Sequence, residues 1–267
     1  MLYLVGTPIG NMQDVTLRSL QVLKEVDVIA CEDTRHSAPF LSYYNVHCAL
    51  ISYHKFNERE QTQKILEMLR EGKNVALITD AGMPCISDPG AVLVNAARAE
   101  GLDIQLVPGA TAAVGALCLA GVSSGYVFLG FLPDKKGEAK SKISPFIASP
   151  LPLVFYCGCH DVDRYAEWLY EFLGDRDLTV VKELTKMHEG VFQSTLSEGY
   201  GGDKRGEFVM IVGGYVEKED FSTLTVEEHL KTYLKLGLSK KDAVKKVAAE
   251  RGVKKDEIYK IAITLDE

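Results

Sequence analysis

The sequence predicts an α/β protein with two α/β domains and a small C-terminal helical module. Short apolar runs alternate with helical segments from residue 1 to about 120, and a less regular alternation follows to about residue 216. A lysine-rich segment with helix-capping residues comes last. Regular alternation of strand and helix is typical of a parallel sheet with crossover helices. We therefore place the domains at 1–120, 121–218 and 222–267.

The first domain is predicted from five apolar runs and the helical segments that separate them. The expected strands lie near 2–6, 26–31, 48–52, 74–79 and 103–107. The expected helices lie near 16–24, 57–71, 89–100 and 110–119. Asn57 is an expected N-cap, with Glu60 completing a capping box. Asp88 is expected to cap a helix that begins at Pro89, because proline suits the first helical position.

The second domain is predicted to contain a mixed sheet. Its expected strands lie near 152–156, 178–183, 190–195 and 207–213, and its expected helices lie at 140–148 and 161–173. The segment 126–133 is interpreted as a strand followed by a linker. The polar stretch 134–142, rich in lysine and glycine, is interpreted as a mobile loop.

The C-terminal module is predicted from residues 238–260, which indicate two short helices around a turn. Ser239 is expected to cap the first helix, and Gly252 is expected to end it. The apolar side of this helix is formed by Ala243, Val247 and Ala248, and the second helix begins near Lys255. The pattern resembles a small helix-turn-helix, although any two-helix unit has the same periodicity.

The formal net charge of −7 argues against a generally basic nucleic-acid binder, but the charge is unevenly distributed. Residues 231–260 hold ten Lys or Arg and four acids, a net charge of +6, which leaves −13 on the rest. This asymmetry favours a basic appendage that contacts phosphate, and a solvated lysine-rich helix face explains it equally well. The lysines that would contact RNA are Lys240, Lys241, Lys245, Lys246, Lys254 and Lys255.

The six cysteines are scattered along the chain, and no apolar run approaches the length of a membrane span. No charged segment precedes an apolar segment as in a secretory signal. We expect free thiols and a cytoplasmic protein with no membrane partner.

Three loops follow predicted strands and are rich in glycine and proline. They are L-Y-L-V-G-T-P-I-G-N (2–11), I-T-D-A-G-M-P-C-I-S-D-P-G (78–90) and I-Q-L-V-P-G-A-T-A-A-V-G-A-L (104–117). In an open α/β sheet, such loops at the carboxyl ends of strands bind the ligand. None of the three has the spacing of a dinucleotide-binding or Walker A loop.

Eight short runs carry a family resemblance that extends over nearly the whole chain. They are G-T-P-I-G-N (6–11), C-E-D-T-R-H (31–36), I-S-Y-H-K-F-N-E (51–58), D-A-G-M-P-C-I-S-D-P-G (80–90), V-P-G-A-T-A-A (107–113), G-F-L-P (130–133), K-E-L-T-K-M-H-E (182–189) and G-E-F-V-M-I-V (206–212). Together these runs resemble the tetrapyrrole-methylase superfamily, the class III methyltransferases that use S-adenosyl-L-methionine (SAM).

The resemblance implies two α/β domains with SAM in the cleft between them, and a homodimer. Within the superfamily, the chain resembles enzymes that methylate the 2′-hydroxyl of a cytidine ribose in the 16S RNA of the small ribosomal subunit. Two alternatives remain open: a corrin- or porphyrin-type small-molecule methyltransferase, and an inactive ribosome-binding descendant. The basic C-terminal segment favours the RNA enzyme, because a tetrapyrrole enzyme needs no cationic appendage.

The resemblance also implies which residues bind SAM. In chain order they are Pro8, Gly82, Met83, Ile86, Thr111, Ala112, Tyr156 and Met187. Met83 and Met187 are equally compatible with a gap-filling role in the core.

A ribose hydroxyl is a poor nucleophile until a base accepts its proton, so carboxylates or histidines are expected at the carboxyl ends of strands. Residues in such positions are Glu32, Asp33, Arg35, His54, Asn57, Glu58, Asp80 and Asp88. The family resemblance favours Glu32, Asp33, Arg35 and Asp80 as the catalytic candidates. The run 32–35 also fits a helix N-cap with a local ion pair.

The segment Y-C-G-C-H-D at 156–161 departs from the Y-E-S-P-H-R that is usual among the resembling proteins. Cys157 and Asp161 replace a glutamate and an arginine, and Ala139 stands where arginine is expected. The cysteine spacing is too tight for a usual zinc site, so we expect a divergent loop and no metal.

Overall fold

The computed structural model describes residues 1–217, 221 and 224–264. The chain divides into two compact units, Met1–Tyr215 and Val216–Glu267. Two five-stranded sheets lie in the first unit, and helices form the second. The domain limits that we expect at residues 218 and 222, and at the terminal residue 267, fall outside the described residues.

The first sheet is parallel throughout, as the alternation of strands and helices predicts. Its strands have the spatial order β3-β2-β4-β1-β5. They are β1 (Leu2–Val5), β2 (Val28–Cys31), β3 (Ala49–Ser52), β4 (Val75–Leu77) and β5 (Ile104–Val107). Parallel strands end at the same edge, so the loops that follow them are brought together there.

Five helices connect and follow these strands. They are α1 (Leu17–Glu25), α2 (Thr34–Tyr43), α3 (Glu58–Arg70), α4 (Ala91–Ala99) and α5 (Ala112–Leu119). A short 3-10 turn, Met12–Asp14, precedes α1. The sequence does not predict α2, because Pro39 lies inside it and interrupts the helical pattern.

Apolar side chains cover both faces of the first sheet. Leu23 of α1 packs with Ile29 on one face, and Leu66 of α3 packs with Leu77 and Leu93 on the other. These five side chains are at most 1% exposed. Burial on both faces explains why the strands are short continuous apolar runs without alternation.

The second sheet is mixed, as the sequence predicts. The strand order is β6-β7-β10-β8-β9, with β6 parallel to β7 and the remaining pairs antiparallel. The strands are β6 (Val127–Gly130), β7 (Leu153–Gly158), β8 (Asp177–Lys182), β9 (Gly190–Thr195) and β10 (Glu207–Val212).

Helices cover both faces of this sheet as well. One face carries α6 (Lys136–Ile143) and α7 (Val162–Leu173). The other face packs against Ala116 and Leu117 of α5, the helix that follows the first sheet. The two sheets are therefore joined through a shared helix within one unit.

The prediction of a mobile loop over 134–142 is wrong, because most of this stretch forms α6. Ala139 and Ile143 are fully buried in the core between α6 and the second sheet. The many lysines and the glycine of this stretch make its sequence polar on average, so the apolar side of the helix is difficult to recognise from the sequence. An arginine in place of Ala139 would put a charge into this core.

Two predicted helix caps have different roles in the structure. Asn57 precedes α3 but does not cap it, because its side chain accepts from His54 N–H (2.7 Å) and donates to Ser52 C=O (3.1 Å). Glu60 pairs with Lys64 instead of completing a capping box. Helix α4 begins after Gly90, whose φ of 136° suits glycine. Asp88 therefore lies outside the helix start.

The second unit contains three helices among its described residues, one more than predicted. They are α8 (Val226–Lys235), α9 (Lys240–Arg251) and α10 (Lys255–Thr264). Ser239 caps α9, and Gly252 ends it in the left-handed conformation, both as predicted. The expected apolar side, Ala243, Val247 and Ala248, is buried against Tyr233 of α8.

Candidate active site

A cavity of about 500 Å³ lies in the first unit between its two sheets. One wall comes from the loops that follow β1, β2, β4 and β5, and the other comes from β7, β8, β10 and adjoining segments. A cavity at the carboxyl ends of parallel strands is the usual ligand site of an α/β sheet.

Most of the sequence-predicted site residues lie on this cavity. Eight of the twelve predicted catalytic and cofactor-binding residues line it. The eight are Glu32, Asp80, Gly82, Met83, Ile86, Thr111, Ala112 and Tyr156. The structure thus brings together residues from three loops of the first sheet and one strand of the second.

Backbone contacts hold the three glycine-rich loops against one another. Thr7 and Gly82 exchange two backbone hydrogen bonds, of 2.9 Å and 3.2 Å, which join the loops after β1 and β4. A Cβ atom added to Gly6 would lie 2.6 Å from Gly109 Cα, so the loops after β1 and β5 touch backbone to backbone. Only glycine allows this approach, and it gives the first wall a fixed shape.

The second wall includes a tight turn after β8. Glu183 and Thr185 have positive φ angles of 49° and 64°, which are costly for residues other than glycine. Lys186 Nζ binds Glu183 Oε1 (2.9 Å) and Glu207 Oε2 (2.8 Å), so the turn is fastened to β10. Leu184 from this turn and Glu207 both line the cavity.

Tyr156 contributes an aromatic surface to the second wall. Its ring packs edge-on against Phe128 (4.9 Å between centroids) and Phe131 (5.6 Å). Burial raises the pKa of the Tyr156 hydroxyl, so it remains protonated at neutral pH. The ring is held in place and offers an apolar face to a planar ligand.

Three carboxylates, Glu32, Asp80 and Asp88, line the cavity beside the central loop. Burial raises the pKa of Glu32, the charge of Asp80 adds to this effect, and His54 opposes it. Burial and the charges of Glu32 and Asp80 raise the pKa of Asp88 to about 6. Asp80 Oδ1 is buried and has no hydrogen-bond partner in the described part of the chain. The carboxylates repel one another and favour a cation or a proton donor in the cavity.

Asp33 and Arg35, two of the predicted catalytic residues, lie outside this cavity lining. Asp33 caps α2 by accepting from Arg35 N–H (2.8 Å), and its other oxygen pairs with Arg35 Nη2 at 2.7 Å. Hydrogen bonds from Arg35 lower the pKa of Asp33 to about 2. These two residues therefore form a helix N-cap with a local ion pair, which is the structural alternative given above for the run 32–35.

Pro8 and Met187, two of the predicted cofactor-binding residues, also lie outside the lining. Ile9, the neighbour of Pro8, lines the cavity instead. Met187 is 93% exposed at the tip of the turn after β8, which excludes the gap-filling core role.

Several lining residues are outside the predicted catalytic and cofactor-binding set. They include Ser87, Asp88, Phe131, Leu184 and Glu207. Asp88 is one of the carboxylates that the sequence places in the central loop, but its suitability as a helix cap favours a structural role. Leu184 and Glu207 lie within the runs 182–189 and 206–212 that carry the family resemblance. Their position in these runs is the sequence feature that could have identified them as site residues.

The divergent segment 156–161 has a structural explanation. Cys157 is 2% exposed, and its burial raises the pKa of the thiol to about 12. Asp161 pairs with Arg164 at 2.5 Å, which places an arginine beside the segment from within α7. Cys157 is therefore a buried, protonated thiol that packs in the core of the second sheet.

The six predicted RNA-binding lysines lie in the second unit on α9, α10 and the loop between them. Lys240 is partly buried, and the other five are exposed. Lys246 Nζ lies 4.6 Å above the Tyr233 ring, so this lysine also packs on the core of its unit. None of the helices in the described part of the chain has the length and hydropathy needed to cross a bilayer.

The family model described as Tetrapyrrole (Corrin/Porphyrin) Methylases matches residues 1–199. The chain belongs to this family. Tetrapyrrole methylases are methyltransferases, and the two-sheet α/β fold predicted from the sequence is confirmed. The cavity described above is thus the candidate active site of a tetrapyrrole-methylase family member.

Relatives in this family match either nearly the whole chain or about four fifths of it. The chain is 40% identical to ribosomal RNA small subunit methyltransferase I of Bacillus subtilis, over 97% of this chain and 92% of the relative. It is 39% identical to the protein of the same name from Coprothermobacter proteolyticus, over 79% of this chain and 97% of the relative.

The tetrapyrrole-methylase fold is also found in a crystal structure of uroporphyrin-III C-methyltransferase from Thermus thermophilus in complex with S-adenosylhomocysteine. That structure has a TM-score of 0.56 and 21% identity, and it covers 79% of this chain and 96% of its own chain.

Proposed function

We propose that this methyltransferase transfers a methyl group from SAM to the 2′-hydroxyl of a cytidine ribose in 16S RNA of the small ribosomal subunit. The observation that carries this proposal is the similarity to the Bacillus subtilis relative over 97% of the chain. That match must include most of the basic second unit, since it leaves only a few residues uncovered. The lysines of such a unit can contact the phosphates of an RNA substrate.

The cavity fits SAM in size and chemistry. Closely packed glycine loops let a ligand lie against the backbone, and the Tyr156 ring offers a surface for an adenine base. Asp80 Oδ1, which is buried and has no partner among the described residues, can accept a hydrogen bond from a bound ligand. The methyl donor is SAM, and the S-adenosylhomocysteine bound by the Thermus enzyme of the same fold supports this assignment.

The residues that would hold SAM are Gly82, Met83, Ile86, Thr111, Ala112 and Tyr156, together with the turn after β8. When bound, SAM supplies a methyl group that is already activated by a positively charged sulfur. The chain therefore has three tasks: to align the ribose hydroxyl with the methyl carbon, to exclude water, and to accept a proton. The carboxylates Glu32, Asp80 and Asp88 are the groups in the cavity that suit the third task.

The acidic cavity and the basic second unit have complementary roles. A cavity lined by carboxylates attracts a positively charged donor and does not attract the phosphates of RNA. The exposed lysines of α9 and α10 supply the phosphate contacts instead. We assign affinity for the RNA to the basic unit and methyl transfer to the cavity.

The experiment that tests this function is transfer of a labelled methyl group from SAM to three acceptors in parallel. The acceptors are small ribosomal subunits that lack the modification, free 16S RNA, and a uroporphyrinogen-type tetrapyrrole. We expect label on the RNA of the subunits. Label on the tetrapyrrole alone would support the corrin- or porphyrin-type alternative. SAM binding without transfer to any acceptor would support the inactive descendant. The homodimer that the family resemblance implies is tested separately, by light scattering of the purified protein.

A further inference from the structure

We propose that Asp88, which shares the cavity with Glu32 and Asp80, is the residue that accepts the proton of the ribose hydroxyl. This inference rests on the proposed function, because it is the ribose hydroxyl of that reaction whose proton must be accepted. In the reaction, the ribose O–H bond breaks and a bond from the same oxygen to the methyl carbon forms. The electron pair of the sulfur–methyl bond remains on sulfur, and the proton passes to the Asp88 carboxylate.

The loop around Asp88 is fixed on both sides of the residue. Cys85 and Ser87 have positive φ angles of 74° and 67°, and Cys85 N–H donates to Pro89 C=O at 3.2 Å. Gly90 N–H donates to Glu58 Oε1 at 2.9 Å. A short loop held in costly backbone conformations and anchored by hydrogen bonds gives its side chains little freedom. Asp88 is thus positioned in the cavity by its neighbours, as a proton acceptor must be.

Asp88 also lies where the two walls of the cavity meet. A Cβ atom added to Gly130, at the end of β6, would lie 2.8 Å from Ser87 Oγ. The residue before Asp88 therefore touches the second sheet, while Asp88 shares the cavity with Glu32 and Asp80 of the first. A substrate that enters between the two walls meets Asp88 at this junction.

The groups that act electrostatically on Asp88 are acidic. Glu32 and Asp80 raise its pKa, and Asp88 in turn raises the pKa of Cys85 in its own loop and of Tyr156 on β7. Burial makes the largest contribution, and the pKa of Asp88 reaches about 6. A base with this pKa is mostly ionised at neutral pH and takes up a proton more readily than an ordinary carboxylate.

The other carboxylates are less suited to accept the proton. Asp33 is tied to Arg35, and its pKa of about 2 makes it a weak base. Burial and the charge of Asp80 also raise the pKa of Glu32, and His54 partly offsets this rise. Asp80 has one oxygen buried with no partner, an arrangement that favours hydrogen bonding to a bound ligand over exchange of a proton with solvent.

The pH dependence has a defined sign. Asp88 must be ionised to accept a proton, so the rate of methyl transfer rises with pH through about 6 and then levels off. Glu32→Gln removes a negative charge that raises the pKa of Asp88. This substitution should therefore move the rising part of the curve to lower pH, although Glu32 itself accepts no proton.

The test combines kinetics with a titration that needs no activity. Single-turnover transfer from SAM to unmodified small ribosomal subunits is measured between about pH 5 and pH 8 for the wild type, Asp88→Asn, Glu32→Gln and the surface control Glu71→Gln. Carbon-13 NMR of aspartate-labelled protein follows the Asp88 carboxyl over the same range, with Asp88→Asn used to assign its signal. Binding of S-adenosylhomocysteine shows that each variant is folded.

We expect Asp88→Asn to slow transfer by about 100-fold or more, with S-adenosylhomocysteine still bound. Glu71→Gln should match the wild type. In Glu32→Gln, the midpoints of the rate curve and the carboxyl titration should both move to lower pH. A folded Asp88→Asn that transfers at more than a tenth of the wild-type rate would overturn the assignment of Asp88. An Asp88 signal that titrates near the ordinary value of about 4 would do the same. Failure of the proposed function is a different result, in which the wild type itself places no label on a ribose.

Discussion

Glu58, the first residue of α3, accepts a hydrogen bond from the backbone N–H of Gly90, the residue before α4, at 2.9 Å. The two residues are 32 positions apart, and their bond joins the run I-S-Y-H-K-F-N-E to the central loop. Glu58 is outside the cavity lining, so its contribution to the site is to anchor the loop that carries Asp80 and Asp88.

Substitution of Glu58 tests this anchor. Glu58→Ala removes an ionised acceptor from a partly buried N–H group and should lower the free energy of unfolding by about 1–3 kcal/mol. Glu58→Gln retains Oε1 and should lose less. Urea unfolding followed by the fluorescence of Trp168 in α7 reports on the first unit, which contains the chain's single tryptophan. Glu60→Ala, which removes only an exposed pair with Lys64, serves as the control. Equal stability of Glu58→Ala and Glu60→Ala would refute the anchoring role.

Gly10 tests the contact between the two walls of the cavity. A Cβ atom there would lie 2.6 Å from Lys186 Cγ and 2.8 Å from the backbone oxygen of Leu184. Gly10→Ala must push the loop after β1 away from the turn after β8. If the typical overpacking cost of about 1–3 kcal/mol falls on the ligand-bound state, affinity for S-adenosylhomocysteine should fall by about 5- to 150-fold in calorimetry.

Gly137→Ala is the matched control for this substitution. Gly137 lies in α6 with nothing within 4 Å of its added Cβ. The alanine should stabilise the helix by about 0.5–1 kcal/mol and leave ligand affinity unchanged. If both alanine variants bind S-adenosylhomocysteine equally well, the two walls do not need this close approach.

Lys186 should control the acid sensitivity of the turn after β8. Burial alone raises the pKa of Glu183, but hydrogen bonds from Lys186 and from Glu207 N–H outweigh it, so the pKa is lowered. A lowered carboxyl pKa stabilises the fold above the unfolded-state pKa, and this stability is lost as pH falls through the folded value. Lys186→Met should raise the pKa of Glu183 and move this loss of stability to higher pH.

Thermal unfolding midpoints between about pH 3 and pH 7 measure this shift. Lys136→Met is a suitable control, because Lys136 and Glu171 form a pair in which both side chains are about half exposed. The pH profile of this control should follow the wild type. If Lys186→Met has the same profile as well, Lys186 does not fasten the turn.

The basic second unit should determine the salt dependence of RNA binding. Each phosphate contact contributes about 0.7–0.9 to the slope of log K against log salt concentration. Substitution of Lys241, Lys245 and Lys254 by glutamine should therefore reduce the slope by about 2. Lys246 is left intact because it packs on Tyr233. Filter binding of 16S RNA at several salt concentrations measures the slope.

The control for this experiment removes three lysines from the first unit: Lys24, Lys64 and Lys73. Both triple variants lose the same formal charge. A similar change of slope in the two variants would mean that net charge, and not the second unit, governs binding.

The sequence predicts the fold well because its strands are short apolar runs that end in glycine and proline loops. Burial on both faces of the first sheet, as at Ile29 and Leu77, produces such runs. The misses have local causes. Pro39 interrupts the pattern of α2, and the lysines of α6 mask Ala139 and Ile143.

The candidate site is harder to predict, because sequence spacing does not show which way a side chain points. Asp33 and Asp80 both follow strands of the first sheet, yet Asp33 turns to Arg35 and Asp80 lines the cavity. Asp88 fits a helix cap by pattern, but α4 begins at Ala91 and leaves Asp88 in the cavity. The tertiary contacts of the central loop determine these outcomes.

The most direct test of the account is alkaline hydrolysis of RNA labelled by the wild-type protein. Alkali cleaves RNA through the ribose 2′-hydroxyl, so a methylated hydroxyl protects the bond that follows it. Unmodified small ribosomal subunits are incubated with labelled SAM, and the extracted RNA is hydrolysed and separated. The expected result is label in one alkali-resistant dinucleotide that contains 2′-O-methylcytidine. Label in a mononucleotide would show methylation of a base and would contradict the proposed ribose methylation.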